Sequence, residues 1–367
     1  MDREARAYWL AGRGAGEIRT EQLPAPRPGE VMVRTLHTGI SHATELLVRR
    51  GGVPEGQRGL MRAPFQAGDF PWPVKYGYLN VGVVEAGPPG LLGDTVFCLF
   101  PHQSRYVVPA AAVHRVPGGV PARRAVLAGT VETAVNALWD AAPQVGDRIA
   151  VVGAGLVGCC VARLLTGIPG TTVVMYDVDP AKASVAAALG AGFVAVPGGS
   201  VSGRGPGNPA GGAGTGPGAL GPASFDLAFH TSATSAGLQL SLDLLAPEGE
   251  VVELSWYGEA PATLTLGGSF HSSRLAIRSS QVGAVAPARR RNRTTGQRLE
   301  LALELLRDPA FDALLTGSSP FGELPEVMAA LAGGSLPALC HTVDYGEFAG
   351  TAPPTAHPTA IPTPQEQ

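Results

Sequence analysis

The sequence predicts an α/β protein with two lobes, a small and mostly antiparallel β domain followed by a doubly wound parallel sheet. Three observations predict it. About the first 120 residues carry short β-rich runs separated by Gly and Pro, apolar strands alternate with helices from residue 149 onward, and a glycine-rich turn joins the first of these strands to its helix. Such alternation is typical of right-handed βαβ units and therefore of a parallel sheet.

The composition is that of a folded protein. The chain has 367 residues, 45% of them hydrophobic, and a net charge of −3, so it can bury a sizeable core. Its 50 Gly and 33 Pro exclude a long helical bundle, because both residues destabilise helix interiors. The charged residues are scattered along the sequence and do not follow the pattern of a nucleic-acid-binding protein. No apolar run is long enough to span a bilayer. We therefore expect no nucleic-acid partner and no membrane insertion.

The cysteines indicate a reducing compartment. Cys98, Cys159, Cys160 and Cys340 are either adjacent or far apart, a spacing that suits no disulfide framework. The charged N-terminus lacks the apolar segment of a secretory signal. We therefore expect a cytoplasmic protein.

The elements follow in chain order. In the β lobe, residues 1–125, strands are predicted at 31–36, 81–84 and 94–98. In the parallel lobe, residues 126–310, a helix is predicted at 125–142. Strands at 149–152, 172–176, 193–196, 225–230 and 250–255 then alternate with helices at 155–165, 180–189 and 235–245. Asp179 and Pro180 are typical of a helix start, and Gly190 of a helix end. Segments 197–224 and 348–367 are too poor in apolar residues to fold and are predicted to be disordered.

The most specific motif is the turn Gly153-Ala-Gly155-Leu-Val-Gly158, which follows an apolar strand and opens an apolar helix. The first glycine permits a tight turn, the second lets a pyrophosphate approach the backbone, and the third lets the helix pack close to the strand. The next strand ends in Asp177, 19 residues after Gly158, where a carboxylate binds ribose hydroxyls and repels a 2′-phosphate. The motif predicts NAD rather than NADP, and the alternative is a tight turn without a nucleotide.

These features resemble the medium-chain dehydrogenase/reductase superfamily, the class of the zinc alcohol and polyol dehydrogenases. Residues 22–34 are similar to its opening strands, 37–41 to its first catalytic-loop motif, and 145–148 to the segment before its nucleotide turn. The runs at 39–45 and 76–84 resemble the branch that includes the bacteriochlorophyllide-type dehydrogenases. The resemblance implies a GroES-like catalytic domain at 1–125, a Rossmann domain at 126–310, a return to the catalytic domain at 311–347, and a homodimer.

The zinc ligands of that superfamily are missing. Zinc-dependent members have Cys where this chain has Ser41, and Gly-His-Glu where it has Gly-Tyr-Leu at 77–79. A catalytic zinc needs about three thiolate, imidazole or carboxylate ligands, and Ser, Tyr and Leu supply none. The sequence therefore predicts no metal, although a rearranged site built from His37, His42 and Glu45 stays open.

Without zinc, acid/base side chains must polarise the substrate oxygen during hydride transfer. In the family the metal-ligand positions face the nicotinamide, so the candidates at and beside them are Ser41, His42, Glu45, Lys75 and Tyr78. His42 titrates near neutral pH, and Tyr78 is expected to donate to a developing oxyanion, with a lowered pKa if an ammonium lies near. Lys75 is one of two lysines beside 25 arginines, and a compact ammonium differs from a guanidinium fork. The alternative is that Lys75 is incidental and that Tyr78 fills the space of the metal.

Further cofactor contacts follow from the resemblance. Thr231 and Ser232 are expected to line the nicotinamide side, Ser255 and Trp256 to meet the carboxamide, and Thr133 to touch the nicotinamide face. The expected cofactor-binding set is Gly153, Gly155, Leu156, Val157, Gly158, Asp177, Val178, Thr231, Ser232, Ser255, Trp256 and Thr133.

Two more residues carry expectations. Glu132 is close to where some polyol dehydrogenases place a ligand carboxylate. Lys182 is expected to be a solvated residue of a first helical turn.

We therefore expect an NAD-dependent, zinc-independent oxidoreductase that transfers hydride between nicotinamide and a secondary alcohol or ketone. One alternative is a zinc-free enoyl or quinone reductase of the same superfamily, against which Asp177 argues because those enzymes usually prefer NADPH. Another is a dinucleotide-binding protein without catalysis. The sequence does not identify the substrate.

Overall fold

The computed structural model describes residues 3–197 and 223–348. The two segments predicted to be disordered, 197–224 and 348–367, lie almost entirely outside the described residues. The strands are β1 (Glu4–Gly12), β2 (Ala15–Gln22), β3 (Glu30–Gly39), β4 (Ala67–Gly68), β5 (Val74–Lys75), β6 (Asn80–Ala86), β7 (Thr95–Cys98), β8 (Arg105–Pro109), β9 (Val113–Arg115), β10 (Arg148–Val152), β11 (Thr172–Asp177), β12 (Gly192–Ala195), β13 (Phe225–His230), β14 (Leu245–Glu253), β15 (Ala276–Ser279), β16 (Leu315–Pro320) and β17 (Cys340–Asp344). The helices are α1 (His42–Arg49), α2 (Ala122–Ala125), α3 (Ala128–Ala141), α4 (Leu156–Thr166), α5 (Ala183–Ala188), α6 (Ser235–Leu244), α7 (Ser269–Ser272), α8 (Thr295–Leu305) and α9 (Leu324–Ala332).

The N-terminal lobe is built mostly from antiparallel strands, as predicted, and β16 and β17 form a parallel pair. Its larger sheet has the order β16-β17-β3-β6-β7-β9, with β8 also paired to β3, and a smaller sheet has the order β2-β1-β5-β4. The chain returns to this lobe near its end, where β17 pairs antiparallel with β3 and places Val343 opposite Thr38. The late strands thus complete a sheet begun by the first ones.

The second lobe is a parallel sheet of order β12-β11-β10-β13-β14-β15. Numbered from β10, this is the order 3-2-1-4-5-6 of a doubly wound dinucleotide-binding sheet, which confirms the predicted fold class. The strand order reverses between β10 and β13, so the carboxyl ends of these two strands flank the crevice where such sheets bind ligands.

Alternating side chains explain why helices cover both faces of the parallel sheet. Successive residues of a strand point to opposite faces, and in β10 Ile149 packs in the cluster that contains α3, α4 and α8, whereas Ala150 packs in the cluster that contains α6. Both residues are fully buried. A strand that is apolar on both faces is the mark of a parallel sheet between helix layers.

Local boundaries agree with the sequence at several points and differ at one. The Asp179 side chain accepts the N–H of Ala181, and Gly190 has φ of +81°, as a cap and a left-handed residue require. The helix predicted at 125–142 is observed as α3, Ala128–Ala141, but it starts later than predicted. Residue 125 instead ends the short helix α2, and between the two helices the N–H of Leu127 bonds to the carbonyl of Arg124 in a tighter turn.

The helices within the described ranges all fall short of the length and apolar character that a membrane crossing demands.

Candidate functional site

The glycine turn between β10 and α4 leaves one open position between two crowded ones. Gly153 has φ of +108°, which side chains rarely adopt. A Cβ on Gly158 would lie 2.7 Å from Oγ1 of Thr231 and closer still to the carbonyl oxygen of Gly153. Within the described residues, no heavy atom outside Gly155 and its two chain neighbours lies within 4 Å of where a Cβ on Gly155 would stand. The open space therefore lies where α4 begins and where the first N–H groups of a helix have no intrahelical acceptor.

Asp177 ties the end of β11 to this turn. Its Oδ2 accepts the N–H of Ala154 at 2.7 Å, and its Oδ1 accepts the N–H of Asp179 at 2.9 Å. The Thr231 hydroxyl holds the other side of the turn by donating to the carbonyl of Gly153 at 2.8 Å. Each carboxylate oxygen keeps a further lone pair, so Asp177 can anchor the turn and still accept a hydrogen bond from a ligand.

Three further expected cofactor contacts lie next to the glycine turn and Asp177. Leu156 and Val157, in the first turn of α4, are partly buried and pack against the main core. Val178, which follows Asp177, is 61% exposed. Their expected cofactor contacts stay predictions.

Lys182 ends the short 3-10 turn before α5 and is partly exposed, and the expectation that it is a solvated residue stays a prediction. Burial lowers the pKa of His42, a hydrogen bond to the carbonyl of Leu331 opposes this, and the ammonium of Lys182 lowers the pKa further. Burial raises the pKa of the Cys159 thiol to about 12, against the effect of the same ammonium. The ammonium of Lys182 thus lowers the pKa of one group at the start of α1 and of another in the first turn of α4.

Two of the predicted catalytic side chains meet directly. The Tyr78 hydroxyl donates to Oγ of Ser41 at 2.6 Å, and both residues are partly exposed. Burial raises the pKa of Tyr78 more than its hydrogen bonds with Ser41 and Thr44 lower it, and the Glu45 carboxylate raises it further. A lowered pKa was expected only with an ammonium nearby, and within the described residues no ammonium is among the groups that shift the pKa of Tyr78. Tyr78 is a neutral phenol, and the pair, here called the hydroxyl pair, is a hydrogen-bond donor system at neutral pH.

Glu45 is buried directly behind the hydroxyl pair. Its Oε1 accepts the backbone N–H of Ser41 at 2.8 Å, and its Oε2 lies 2.9 Å from Nε2 of His102. The other ring nitrogen of His102 lies 2.7 Å from Oγ1 of Thr38. The side chains of Glu45 and His102 are 3% and 1% exposed. Sequence reasoning missed His102, because it lies 57 residues from its carboxylate partner and in no recognised motif.

Lys75 lies against the first hairpin. Its Nζ donates to Oε2 of Glu21 at 2.8 Å and to Oε1 of Gln103 at 2.6 Å. The same ammonium lies 5.7 Å from the ring centroid of Trp9, whose Nε1 donates to the other oxygen of Glu21 at 2.8 Å. These are the contacts of a partly buried structural ion pair. The structure brings Lys75 to none of the other catalytic candidates by a hydrogen bond among the described residues, and its catalytic role stays a prediction.

A second buried histidine organises the ends of β13 and β14. His230 has Nδ1 2.7 Å from Oε2 of Glu253 and Nε2 2.7 Å from Oγ of Ser232. Glu253, opposite it in the parallel register, also accepts the Tyr257 hydroxyl at 3.0 Å and the Ser255 N–H at 2.7 Å. Burial raises the pKa of Glu253, but hydrogen bonds from His230 and Ser255 and the His230 charge lower it more. The two predicted serines are thus held by a network that the sequence prediction did not include.

The remaining candidates make contacts of their own. The Thr133 hydroxyl donates to the carbonyl of Gly129 at 3.0 Å within α3, and Trp256 packs against an apolar cluster of the N-terminal lobe. Glu132 forms a 3.0 Å ion pair with the buried Arg298, so its carboxylate serves the core. The cofactor roles of Thr133 and Trp256 stay predictions.

A zinc ion of the superfamily type does not fit these residues. Within residues 3–197 and 223–348, no three His, Cys, Asp or Glu side chains gather as metal ligands would. Ser41 and Tyr78 are bonded to each other, and Leu79 is 1% exposed in the core. His37 lies 3.5 Å from Asp344, and the rearranged site built on it is not assembled.

One curated relative supports the branch that the resemblance indicated. No protein-family model matches the sequence. The chain is 31% identical over 191 residues to 2-desacetyl-2-hydroxyethyl bacteriochlorophyllide A dehydrogenase of Cereibacter sphaeroides, a match that covers 47% of this chain and 56% of that protein. The chain thus spans just over half the length of this relative.

Solved structures show the same fold over nearly the whole chain. 2R,3R-butanediol dehydrogenase of Bacillus subtilis superposes with a TM-score of 0.71 at 16% identity, covering 93% of this chain and 99% of that one. A Sinorhizobium meliloti protein solved with NADP has a TM-score of 0.72 at 16% identity, covering 94% and 100%. Acetophenone reductase of Geotrichum candidum, solved with NAD, has a TM-score of 0.69 at 15% identity, covering 95% and 99%. The chain therefore has the fold of the medium-chain, alcohol dehydrogenase-like oxidoreductases, as predicted.

Proposed function

We propose that the protein is an NAD-dependent oxidoreductase that transfers hydride between nicotinamide and a secondary alcohol or ketone, without a catalytic zinc. The observation that carries the proposal is the open space at Gly155, set between two glycines that leave no room for side chains. A turn of this shape at the carboxyl edge of a doubly wound sheet is suited to a dinucleotide pyrophosphate.

The surroundings of the turn favour NAD among the nicotinamide cofactors. The pyrophosphate would lie on Gly155, where the dipole of α4 and its free N–H groups attract anions, and Lys182 adds a positive charge nearby. The Asp177 carboxylate, at the end of the neighbouring strand, would accept hydrogen bonds from ribose hydroxyls. The same negative charge would repel a 2′-phosphate, which supports NAD over NADP.

The hydroxyl pair supplies the contact to the substrate oxygen. The bound nicotinamide gives or takes the hydride. Because Tyr78 donates to Ser41, the hydroxyl hydrogen of Ser41 is free to donate to a substrate oxygen, and each hydrogen bond in such a chain polarises the next. The raised pKa of Tyr78 keeps the chain supplied with a proton at neutral pH. The pair therefore stabilises the negative charge that develops on the oxygen as a ketone is reduced.

The proposed independence from zinc rests on the chemistry of the ligand positions. A serine and a tyrosine that are bonded to each other, beside a buried leucine, replace the thiolate and imidazole that zinc prefers. No step of the proposed reaction needs a metal, since the donors are neutral hydroxyls.

A homodimer and a cytoplasmic location complete the proposal. The edge strand of the parallel sheet, β15, is exposed along its whole length, and Ile277 on it is 39% exposed. Such an edge can pair with its symmetry mate in a second copy. The cytoplasm is proposed on the cysteine spacing, and the four cysteines are free and buried.

Fluorescence titration and elemental analysis test the cofactor and metal parts. We expect NADH to bind more tightly than NADPH. Equal or tighter binding of NADPH would overturn the choice of NAD, and one zinc per chain would overturn the metal-free site.

Turnover tests the reaction class. Butanediol oxidation and acetophenone reduction are suitable first assays, because proteins of the same fold bear these substrates in their names. Reduction of an enone without any alcohol oxidation would favour the reductase alternative. Saturable NADH binding without turnover of any carbonyl would favour a non-catalytic protein.

A further inference from the structure

We infer that Glu45 and His102 form a hydrogen-bonded cross-link that holds Ser41 and Tyr78 together, in the place where zinc-dependent members of the superfamily have a metal. His102 is then a positioning residue of the reaction, acting through the hydroxyl pair rather than on the substrate. The role of the hydroxyl pair in the reaction rests on the proposed function, whereas the cross-link itself is argued from distances in the structure.

The first end of the cross-link is the segment that carries Ser41. This residue precedes α1, and no side chain caps that helix at its N-cap position. Instead, Oε1 of Glu45 accepts the Ser41 N–H at 2.8 Å. The carboxylate is therefore bonded to the backbone of the residue whose hydroxyl faces Tyr78, and any shift of Glu45 moves that hydroxyl.

The second end is the segment that carries Tyr78. The His102 ring packs against Gly77, where a Cβ would lie 2.8 Å from Cδ2 and 3.1 Å from Nε2 of the ring. Gly77 also has φ of +127°, a conformation that favours glycine. The ring therefore fixes the backbone immediately before Tyr78, while its Nε2 holds the carboxylate that fixes Ser41.

The cross-link is anchored from behind and shielded from water. Nδ1 of His102 lies 2.7 Å from Oγ1 of Thr38, which lies 3.3 Å from the hydroxyl of Tyr345. Thr38 lies in β3, in the larger sheet of the N-terminal lobe, and Tyr345 follows β17 of the same sheet. Both residues are buried. A fully bonded polar network in a buried site is rigid and specifies one arrangement. It is therefore suited to keep two hydroxyls 2.6 Å apart without a metal.

The test compares two polar replacements of different reach. His102→Gln can still extend an amide to Glu45, whereas His102→Asn retains a polar group near Thr38 but is too short to bridge. We expect kcat for H102N to fall about tenfold to hundredfold, the range seen when groups that orient active-site ligands are lost. H102Q should stay within about threefold of the wild type, and the affinity for NADH should not change in either. Equal losses in the two variants would overturn the inference.

A double-mutant cycle with Tyr78→Phe asks whether His102 acts through the hydroxyl pair. If it does, H102N lowers kcat little further once Y78F has removed the pair, because residues that act as a unit are not additive. Additive losses would contradict the inference. His114→Leu is the matched control, because it removes a histidine that pairs at 3.5 Å with an exposed glutamate, Glu300, and it should leave kcat unchanged.

Amide hydrogen exchange decides the matter without any substrate. The Ser41 N–H should exchange faster in H102N than in H102Q and the wild type, because Glu45 loses its second anchor. Unchanged exchange at Ser41 would overturn the cross-link even if the enzyme is active. Faster exchange in a protein that turns over no alcohol or ketone would support the cross-link while the proposed function fails.

Discussion

Alanine at Gly155 should weaken cofactor binding with little effect on stability, whereas alanine at Gly158 should lower the stability of the fold. At Gly158 the new Cβ would lie 2.7 Å from Thr231 Oγ1, about 0.7 Å short of an ordinary 3.4 Å contact. Overpacking of this kind costs about 1–3 kcal/mol, and each kcal/mol lowers Tm by about 2–4 °C in a domain of 150–250 residues. We therefore expect G158A to unfold at a clearly lower temperature.

Gly155→Ala meets no protein atom, and its φ of −77° is open to alanine. Loss of a glycine N-cap costs up to about 1 kcal/mol, and the smaller entropy of the unfolded chain returns about 0.4–1 kcal/mol. Stability should therefore stay nearly constant. The methyl group would stand where the pyrophosphate approaches the backbone, so we expect NADH to bind at least about tenfold more weakly, equivalent to 1.4 kcal/mol.

Thermal unfolding and NADH fluorescence titration, run on both variants, give the two readings. The reasoning is refuted if G155A binds NADH like the wild type, since the open space would then not be the pyrophosphate site. It is also refuted if G155A loses as much stability as G158A.

Three further predictions concern charged residues. Asp177→Asn should improve the binding of NADPH relative to NADH by about tenfold, because it removes a negative charge that repels the 2′-phosphate while the amide oxygen can still accept the N–H of the turn. Asp179→Asn changes a nearby exposed cap residue and is the control. An equal change in that variant would contradict the assignment. Glu253 has a lowered pKa, so it stabilises the fold above its unfolded pKa of about 4.3 and loses this contribution as pH falls through the folded pKa. The Tm difference between wild type and Glu253→Gln should therefore shrink below about pH 4, and a difference independent of pH would exclude this linkage. Lys75→Met should lower stability by about 1–3 kcal/mol, because the partly buried Glu21 carboxylate loses its charged hydrogen-bond donor. It should leave kcat/KM within about threefold, and a collapse of kcat at unchanged Tm would instead restore a catalytic lysine.

The nucleotide lobe was predictable because its signals are local. Each strand and helix carries its own apolar pattern, and the spacing between Gly153, Gly158 and Asp177 lies within one βαβ unit. The strand order then follows from the few topologies that right-handed crossovers permit. The helix break after α2 escaped prediction because it depends on a backbone bond rather than on a breaker residue.

The pairs that shape the site are nonlocal, and sequence reasoning found single members of them. Glu45 was recognised without His102, and Lys75 without Glu21, because their partners lie 57 and 54 residues away. His230 and Glu253 could have been paired. Each ends a strand of a parallel sheet, and the carboxyl ends of neighbouring parallel strands meet at one edge.

The residues that have replaced the usual zinc ligands explain more about this site than the absence of those ligands does. Restoring Cys at Ser41 and His at Tyr78 would supply two ligands where a catalytic zinc needs about three. The carboxylate of Glu132 pairs with the buried Arg298 at 3.0 Å, and pulling it away would leave an unpaired charge in the core, at a cost of about 3–5 kcal/mol. Glu45 is likewise held by His102. Glu132 and Glu45 are thus committed to hydrogen bonds inside the protein, so packing as well as sequence supports the proposed metal-free site.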